Sequence, residues 1–130
     1  MVRYLSLEWI DALGREVVAR PALVAVGAAN TIGVTQVVTD GPEGDITYHL
    51  QATADGVRFG AGPAEPEDVR MEQTWETAVG VATGTVNAQE AFVTGRILLS
   101  GDQARLLVTQ PLFGALAEVF AAVAADTDYH

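Results

Sequence analysis

The sequence has no cysteine and no lysine, and its only two histidines are His49 and His130. The absence of cysteine excludes a disulfide framework, a thiolate nucleophile and a cysteine-ligated zinc site. No H-x-H or H-x-x-x-H pair includes His49, so no metal site is predicted. We interpret His49 as a strand residue on a polar face rather than as a general base, because the sequence shows no partner that would orient it.

Positive charge is also scarce, since seven scattered arginines stand against 17 acidic residues and leave a net charge of −10. Nucleic-acid binding needs clustered positive charge, so no nucleic-acid partner is expected. The longest apolar run, residues 22–29, is far shorter than the roughly 20 residues that span a bilayer. No signal-peptide pattern follows Met1. We therefore expect a cytoplasmic protein with no stable membrane insertion.

Familiar catalytic motifs are missing as well. Ser6 and Ser100, the only serines, do not stand in a G-x-S-x-G motif. The glycine-rich stretch 56–62 lacks the lysine of a phosphate-binding loop, and the acidic residues within 65–68 lack the spacing of a calcium loop. The sequence therefore predicts that the protein is not an enzyme and needs no cofactor.

Apolar residues make up 49% of the 130 positions, which is enough for one packed domain over residues 1–130. In the first half, Ser6 is placed to cap a helix that ends before Pro21. Residues 22–30 fit either a helical turn or the approach to a strand. Three strand patterns separated by turn residues then predict an antiparallel meander, at 31–39, 46–52 and 57–59.

The second half mixes strands with helices. Its predicted elements are, in chain order, a strand at 69–72, a helix over 74–82, a short helix capped by Asn87, a strand at 96–99, a helix capped by Asp102 and a last helix from Pro111. The last helix carries an amphipathic stripe of Leu112, Leu116, Val119, Phe120 and Val123. The polar tail, residues 126–130, is expected to be frayed.

Several segments of this half together resemble a sterol-carrier-protein-2 domain. The similar segments, in order, are Asp68–Met71, Trp75–Gly84 with its terminal T-G, Asn87–Arg96 with its A-F-x-x-G, the S-G-D at Ser100–Asp102, and Pro111–Phe113. The resemblance implies an α/β (α+β) fold with helices on one face of a five-stranded, mostly antiparallel sheet. It also implies an apolar tunnel that binds a sterol, fatty acid or acyl-CoA without catalysis.

The chain departs from that family in two ways that bear on function. It continues beyond Phe113 as a C-terminal helix extension, at about 112–125. It also lacks the lysines that many members carry, which argues against acyl-CoA because the CoA phosphates favour positive charge.

The residues expected to line the tunnel come from two sources. The resemblance implies Trp75, Val79, Phe92, Leu106, Leu107, Leu112 and Phe113. The apolar stripes of the first and last helices add Trp9, Leu13, Leu116 and Phe120. Each of these residue types is as typical of a dry core as of a ligand-binding wall.

The leading hypothesis is a non-catalytic carrier of a lipid or other hydrophobic small molecule. Two alternatives stay open at this point. An accessory enzyme of hydrophobic-metabolite biosynthesis would use the pocket as a reaction chamber, with His49 or an acidic residue near its mouth. An interaction module would instead cover the apolar excess at 106–120 by forming a homodimer through the C-terminal helix.

Overall fold

The computed structural model of the chain describes residues 2–42, 44–125 and 127–129. The elements within these ranges are, in chain order, β1 (Val2–Arg3), α1 (Leu7–Val18), α2 (Ala22–Ala29), β2 (Ile32–Gly41), β3 (Gly44–Thr53), β4 (Gly56–Ala61), β5 (Val69–Thr74), α3 (Trp75–Thr83), α4 (Ala88–Val93), β6 (Ile97–Gly101), α5 (Gln103–Val108), α6 (Gln110–Ala124) and β7 (Thr127–Asp128).

Five of the strands form one mixed sheet in the order β4-β3-β2-β5-β6. The strands β2, β3 and β4 make the predicted antiparallel meander, and β5 also pairs with β6 in an antiparallel manner. Within this sheet β2 and β5 form the parallel pair, with Val34 opposite Val69. The structure thus confirms the predicted α/β fold with a five-stranded, mostly antiparallel sheet.

The two faces of the sheet differ because side chains alternate along each strand. One face, called here the inner face, carries the buried residues Val34, Leu50 and Val69 and packs against apolar side chains of α1, α3 and α6. The outer face carries polar residues and is crossed by the loop at 62–68. In that loop the Ala64 N–H donates to the Thr35 hydroxyl at 3.0 Å. The space above the inner face therefore lies between the sheet and the helices, whereas the outer face is crossed by a loop.

The predicted helix starts are confirmed by their capping hydrogen bonds. Oxygen atoms of Ser6, Thr74, Asn87 and Asp102 accept from backbone N–H groups three residues later. The ambiguous segment at 22–30 is the helix α2, which packs closely on β4. A Cβ at Gly27 would lie 3.0 Å from the backbone of Gly56, so a side chain there would have to push α2 and β4 slightly apart.

The expectation of a frayed tail is wrong for residues 127–129. Strand β7 pairs in parallel with β1, and the Tyr4 N–H donates to the Asp128 carbonyl at 2.9 Å. The ring of Tyr129 lies 4.8 Å from that of Tyr4. Tertiary partners at the opposite end of the chain order this segment, which has no strong local signal of its own. Asp126 and His130 lie outside the described residues.

Candidate functional site

A cavity of about 450 Å³ lies between the inner face of the sheet and the helices α1, α3 and α6. This volume is within the range of about 300–1,000 Å³ that is typical of small-molecule sites. The cavity, called here the inner cavity, is lined by Tyr4, Trp9, Gln36, Tyr48, Met71, Gln73, Ala78, Val81, Ala82, Ile97, Phe120, Ala121, Ala124 and Tyr129.

The floor of the inner cavity comes from four neighbouring strands. Gln36 of β2 lies opposite Tyr48 of β3 on one side and opposite Met71 of β5 on the other. Gln73, two residues after Met71, lies opposite Ile97 of β6. Because residues two apart on a strand share a face, strand register alone brings these five side chains together.

Aromatic rings form one wall of the inner cavity. The Trp9 ring meets Tyr4 edge-on at 5.0 Å and Tyr48 at 5.5 Å. Burial raises the pKa of both tyrosines well above the usual value of 10.0. Their hydroxyls therefore remain neutral at physiological pH and can donate or accept a hydrogen bond without carrying charge.

The opening of the cavity lies between α3 and α6. Ala82 on α3 and Phe120 and Ala121 on α6 line the cavity and are also exposed to solvent. The Phe120 ring stacks edge-on against Phe59 of β4 at 5.8 Å. Small alanine side chains on both helices keep the helices from filling the space with their own atoms, which leaves a route into the cavity.

No lysine, arginine, histidine, aspartate or glutamate is among the lining residues that the structure describes. Within the same ranges, no three histidine or acidic side chains lie close enough to hold a metal ion. The inner cavity can therefore enclose an apolar molecule and hydrogen-bond an uncharged polar group. Its described lining residues include no acid–base pair.

The structure brings only two of the predicted site residues, Trp9 and Phe120, to this cavity. Leu13, Leu112 and Leu116 are fully buried and pack in the core instead. Leu13 lies one turn from Trp9 on α1, and Leu116 lies one turn from Phe120 on α6, so they continue the same helix faces past the cavity into the region where α1 packs against α6.

The other predicted residues do not line the inner cavity. Trp75 and Val79 pack against the core and line a separate groove beside Arg96, and the Trp75 ring lies 5.4 Å from that of Tyr4. Leu106 and Phe113 are partly buried against the core. Leu107 is 72% exposed and Phe92 46% exposed, so neither lies on an interior wall. These residues do not share the inner cavity, and their part in a ligand-binding tunnel stays a prediction.

His49 also lies away from the inner cavity. It is on β3 next to the inward-pointing Tyr48 and Leu50, so alternation places it on the outer face. Its Nδ1 donates to the Gly62 carbonyl at 3.0 Å, in the loop that crosses this face. This agrees with the interpretation of His49 as a strand residue on the polar face.

Gln36 and Gln73, on the floor of the cavity, were not among the predicted site residues. One signal was available. Gln36 falls on the same face as Val34 and Val38, so a polar side chain interrupts an otherwise apolar row of β2. Gln73 carries the same kind of signal, because it follows the apolar Val69 and Met71 on one face of β5, but it lies one residue beyond the predicted strand at 69–72.

No helix within the described ranges is long and apolar enough to cross a bilayer.

Comparison with known proteins places this fold among sterol carrier proteins. A crystal structure of sterol carrier protein 2 superposes with a TM-score of 0.62 at 18% identity, covering 93% of this chain and 96% of that one. A protein of Thermus thermophilus, related by its description to sterol carrier proteins, gives 0.61 at 17% identity and covers 94% and 87%. Sterol carrier protein 2 of Yarrowia lipolytica, in its apo form, gives 0.57 at 18% identity and covers 79% and 84%.

No curated protein matches the sequence. The family model of the SCP-2 sterol transfer family, however, matches residues 15–114, which include the whole five-stranded sheet and the first turn of α6. That range is more than three quarters of the chain. The resemblance seen in the sequence is therefore confirmed, and the chain belongs to the SCP-2 sterol transfer family.

Proposed function

We propose that this protein binds and carries a lipid or another hydrophobic small molecule in the inner cavity and does no chemistry on it. The observation that carries the proposal is the cavity itself, whose described lining consists of uncharged side chains between the sheet and three helices. Membership of the SCP-2 sterol transfer family supports it.

Burial of apolar surface supplies enough free energy for such binding. A chain of about 12 carbons gains on the order of 9 kcal/mol on leaving water, at about 0.8 kcal/mol per methylene. The cost of association subtracts several kcal/mol from this gain. The remainder is compatible with a reversible carrier.

The reaction-chamber alternative has less support. His49 is on the outer face, and no carboxylate is among the described lining residues. The carrier proposal therefore expects a bound molecule to be recovered chemically unchanged after prolonged incubation with the protein.

A blocking substitution tests the proposal directly. We expect a decyl-chain probe to change the fluorescence of Trp9 on binding, and Ala82→Trp to weaken that binding more than tenfold because the indole would obstruct the opening. Ala28→Trp is the matched control, since Ala28 is exposed on α2 and does not line the cavity. Native mass spectrometry after gentle purification gives an independent readout.

Two results would contradict the carrier proposal. One is a protein that is isolated empty and binds no long-chain probe. The other is equal loss of binding in Ala82→Trp and Ala28→Trp, since this would place the probe on the surface rather than in the inner cavity.

A further inference from the structure

Two buried amide oxygens of the cavity floor lack hydrogen-bond partners. They are Oε1 of Gln36 and Oε1 of Gln73, and neither has a partner in the part of the chain that the structure describes. Both side chains line the inner cavity. Buried carbonyl oxygens are almost always hydrogen-bonded, because an unpaired one keeps the cost of losing its water.

The orientation of the Gln36 amide follows from its neighbour. Its Nε2 donates to the sulfur of Met71 at 3.4 Å. A thioether sulfur can only accept, so the nitrogen end of the amide faces Met71 and the oxygen end is the one left unpaired. The unpaired Oε1 of Gln36 therefore needs a hydrogen-bond donor.

The two glutamines lie close together on the floor. Gln36 is opposite Met71, and Gln73 is opposite Val38, on the adjacent parallel strands β2 and β5. They are thus diagonal neighbours on one face, a relation in which long side chains reach each other's surroundings. One polar group bound there can approach both amides.

The charge of that group is constrained by what surrounds it. The described lining contains no cationic side chain that could pair with an anion. Taking a carboxylate or phosphate out of water without a partner is strongly unfavourable. The aromatic hydroxyls of Tyr4 and Tyr48, which line the same space, are neutral and suit a neutral group.

We infer that the inner cavity selects a neutral amphiphile whose hydroxyl or amide N–H group is inserted towards the sheet, where it donates to the amide oxygens of Gln36 and Gln73. The apolar part of the ligand then extends along the alanine-lined helices towards the opening at Ala82 and Ala121. This inference rests on the proposed function and adds the chemical class of the ligand and its orientation.

Three probes of equal chain length test the inference at pH 7, namely 1-decanol, its methyl ether and decanoate. The ether keeps the oxygen but has no donor, and decanoate is anionic. We expect the wild-type protein to bind the alcohol about tenfold more tightly than the ether, the difference that one buried hydrogen bond makes. Decanoate should bind more weakly than the alcohol.

Substitution of the glutamines should remove this preference. In the double variant Gln36→Met, Gln73→Met, the ratio of alcohol to ether affinity should fall close to one, while the side-chain length is retained. The single variants serve if the double variant does not fold. Gln103→Met is the control, because Gln103 is exposed on α5 and should leave the ratio unchanged.

The outcomes separate this inference from the proposed function. Equal affinity for alcohol and ether in the wild type, or a ratio that survives the glutamine substitutions, would overturn the inference and leave the carrier intact. Failure of all three probes and of longer-chain ones to bind would overturn the carrier function and the inference with it.

Discussion

At the scale of single residues, exposure divides the apolar side chains of the last helices into different roles. Leu116 on α6 is fully buried in the core, whereas Leu107 on α5 is 72% exposed. Both residues belong to one apolar stretch of the sequence, at 106–120. Their free-energy contributions to folding should therefore differ by an amount that urea denaturation can measure.

Leu116→Ala should lower the free energy of unfolding by about 2–5 kcal/mol, because it leaves a cavity in the core. Leu107→Ala, its matched control, should change the free energy by less than about 0.5 kcal/mol, since its side chain already meets water. A small effect of Leu116→Ala together with weaker binding of a decyl-chain probe would instead show that Leu116 acts as a ligand contact.

At the scale of elements, the loop at 62–68 is held against β2 by contacts that a side chain at Gly33 would prevent. The Gly33 N–H donates to the Asp68 carboxylate, and the Asp68 N–H donates to the Gly33 carbonyl, both at 2.8 Å. A Cβ at Gly33 would lie 2.0 Å from the Pro66 carbonyl oxygen. The outer face of the sheet therefore depends on this position being glycine.

Gly33→Ala should destabilise the fold by about 1–3 kcal/mol or more, because backbone atoms rather than a flexible side chain must move. Gly14→Ala is the matched comparison, since among the described residues nothing beyond the neighbouring backbone of α1 lies within 4 Å of a Cβ there, and alanine favours the interior of α1. It should raise stability by about 0.5–1 kcal/mol. Thermal or urea unfolding of both variants checks the pair, and a tolerated Gly33→Ala would show that the loop lifts off freely.

At the scale of the whole molecule, the homodimer through the C-terminal helix stays a prediction. The stripe of Leu112, Leu116, Val119 and Val123 is buried within the chain, so it is not available to a second copy. The exposed side of α6 offers Phe120, and two copies that each carry a net charge of −10 repel each other. A dimer formed there should consequently strengthen as salt is added.

Phe120→Glu should dissociate such a dimer into monomers in sedimentation velocity, whereas Ala28→Glu on α2 should leave it unchanged. Wild-type protein that sediments as a monomer at every concentration and ionic strength would rule the dimer out.

The sequence by itself determined the elements whose signals are local. Capping residues such as Ser6 and Asp102 set the helix starts, because their side chains bond to N–H groups three positions away. The strand pattern at 46–52 predicted β3 and the placement of His49 on its polar face, because neighbouring side chains on a strand point in opposite directions. Family membership also followed from the order of short motifs.

Only the tertiary structure decided the composition of the inner cavity. Gln36 and Met71 meet because the parallel pairing of β2 with β5 joins positions 35 residues apart, and no local pattern encodes that pairing. The same holds for β7, which is ordered by β1 at the other end of the chain. The tertiary structure also decided which side chains of the apolar stretch at 106–120 are buried and which are exposed, since burial depends on what packs against each helix face. The apolar interior expected from the sequence is present, and its floor is more polar than the apolar residues alone indicated.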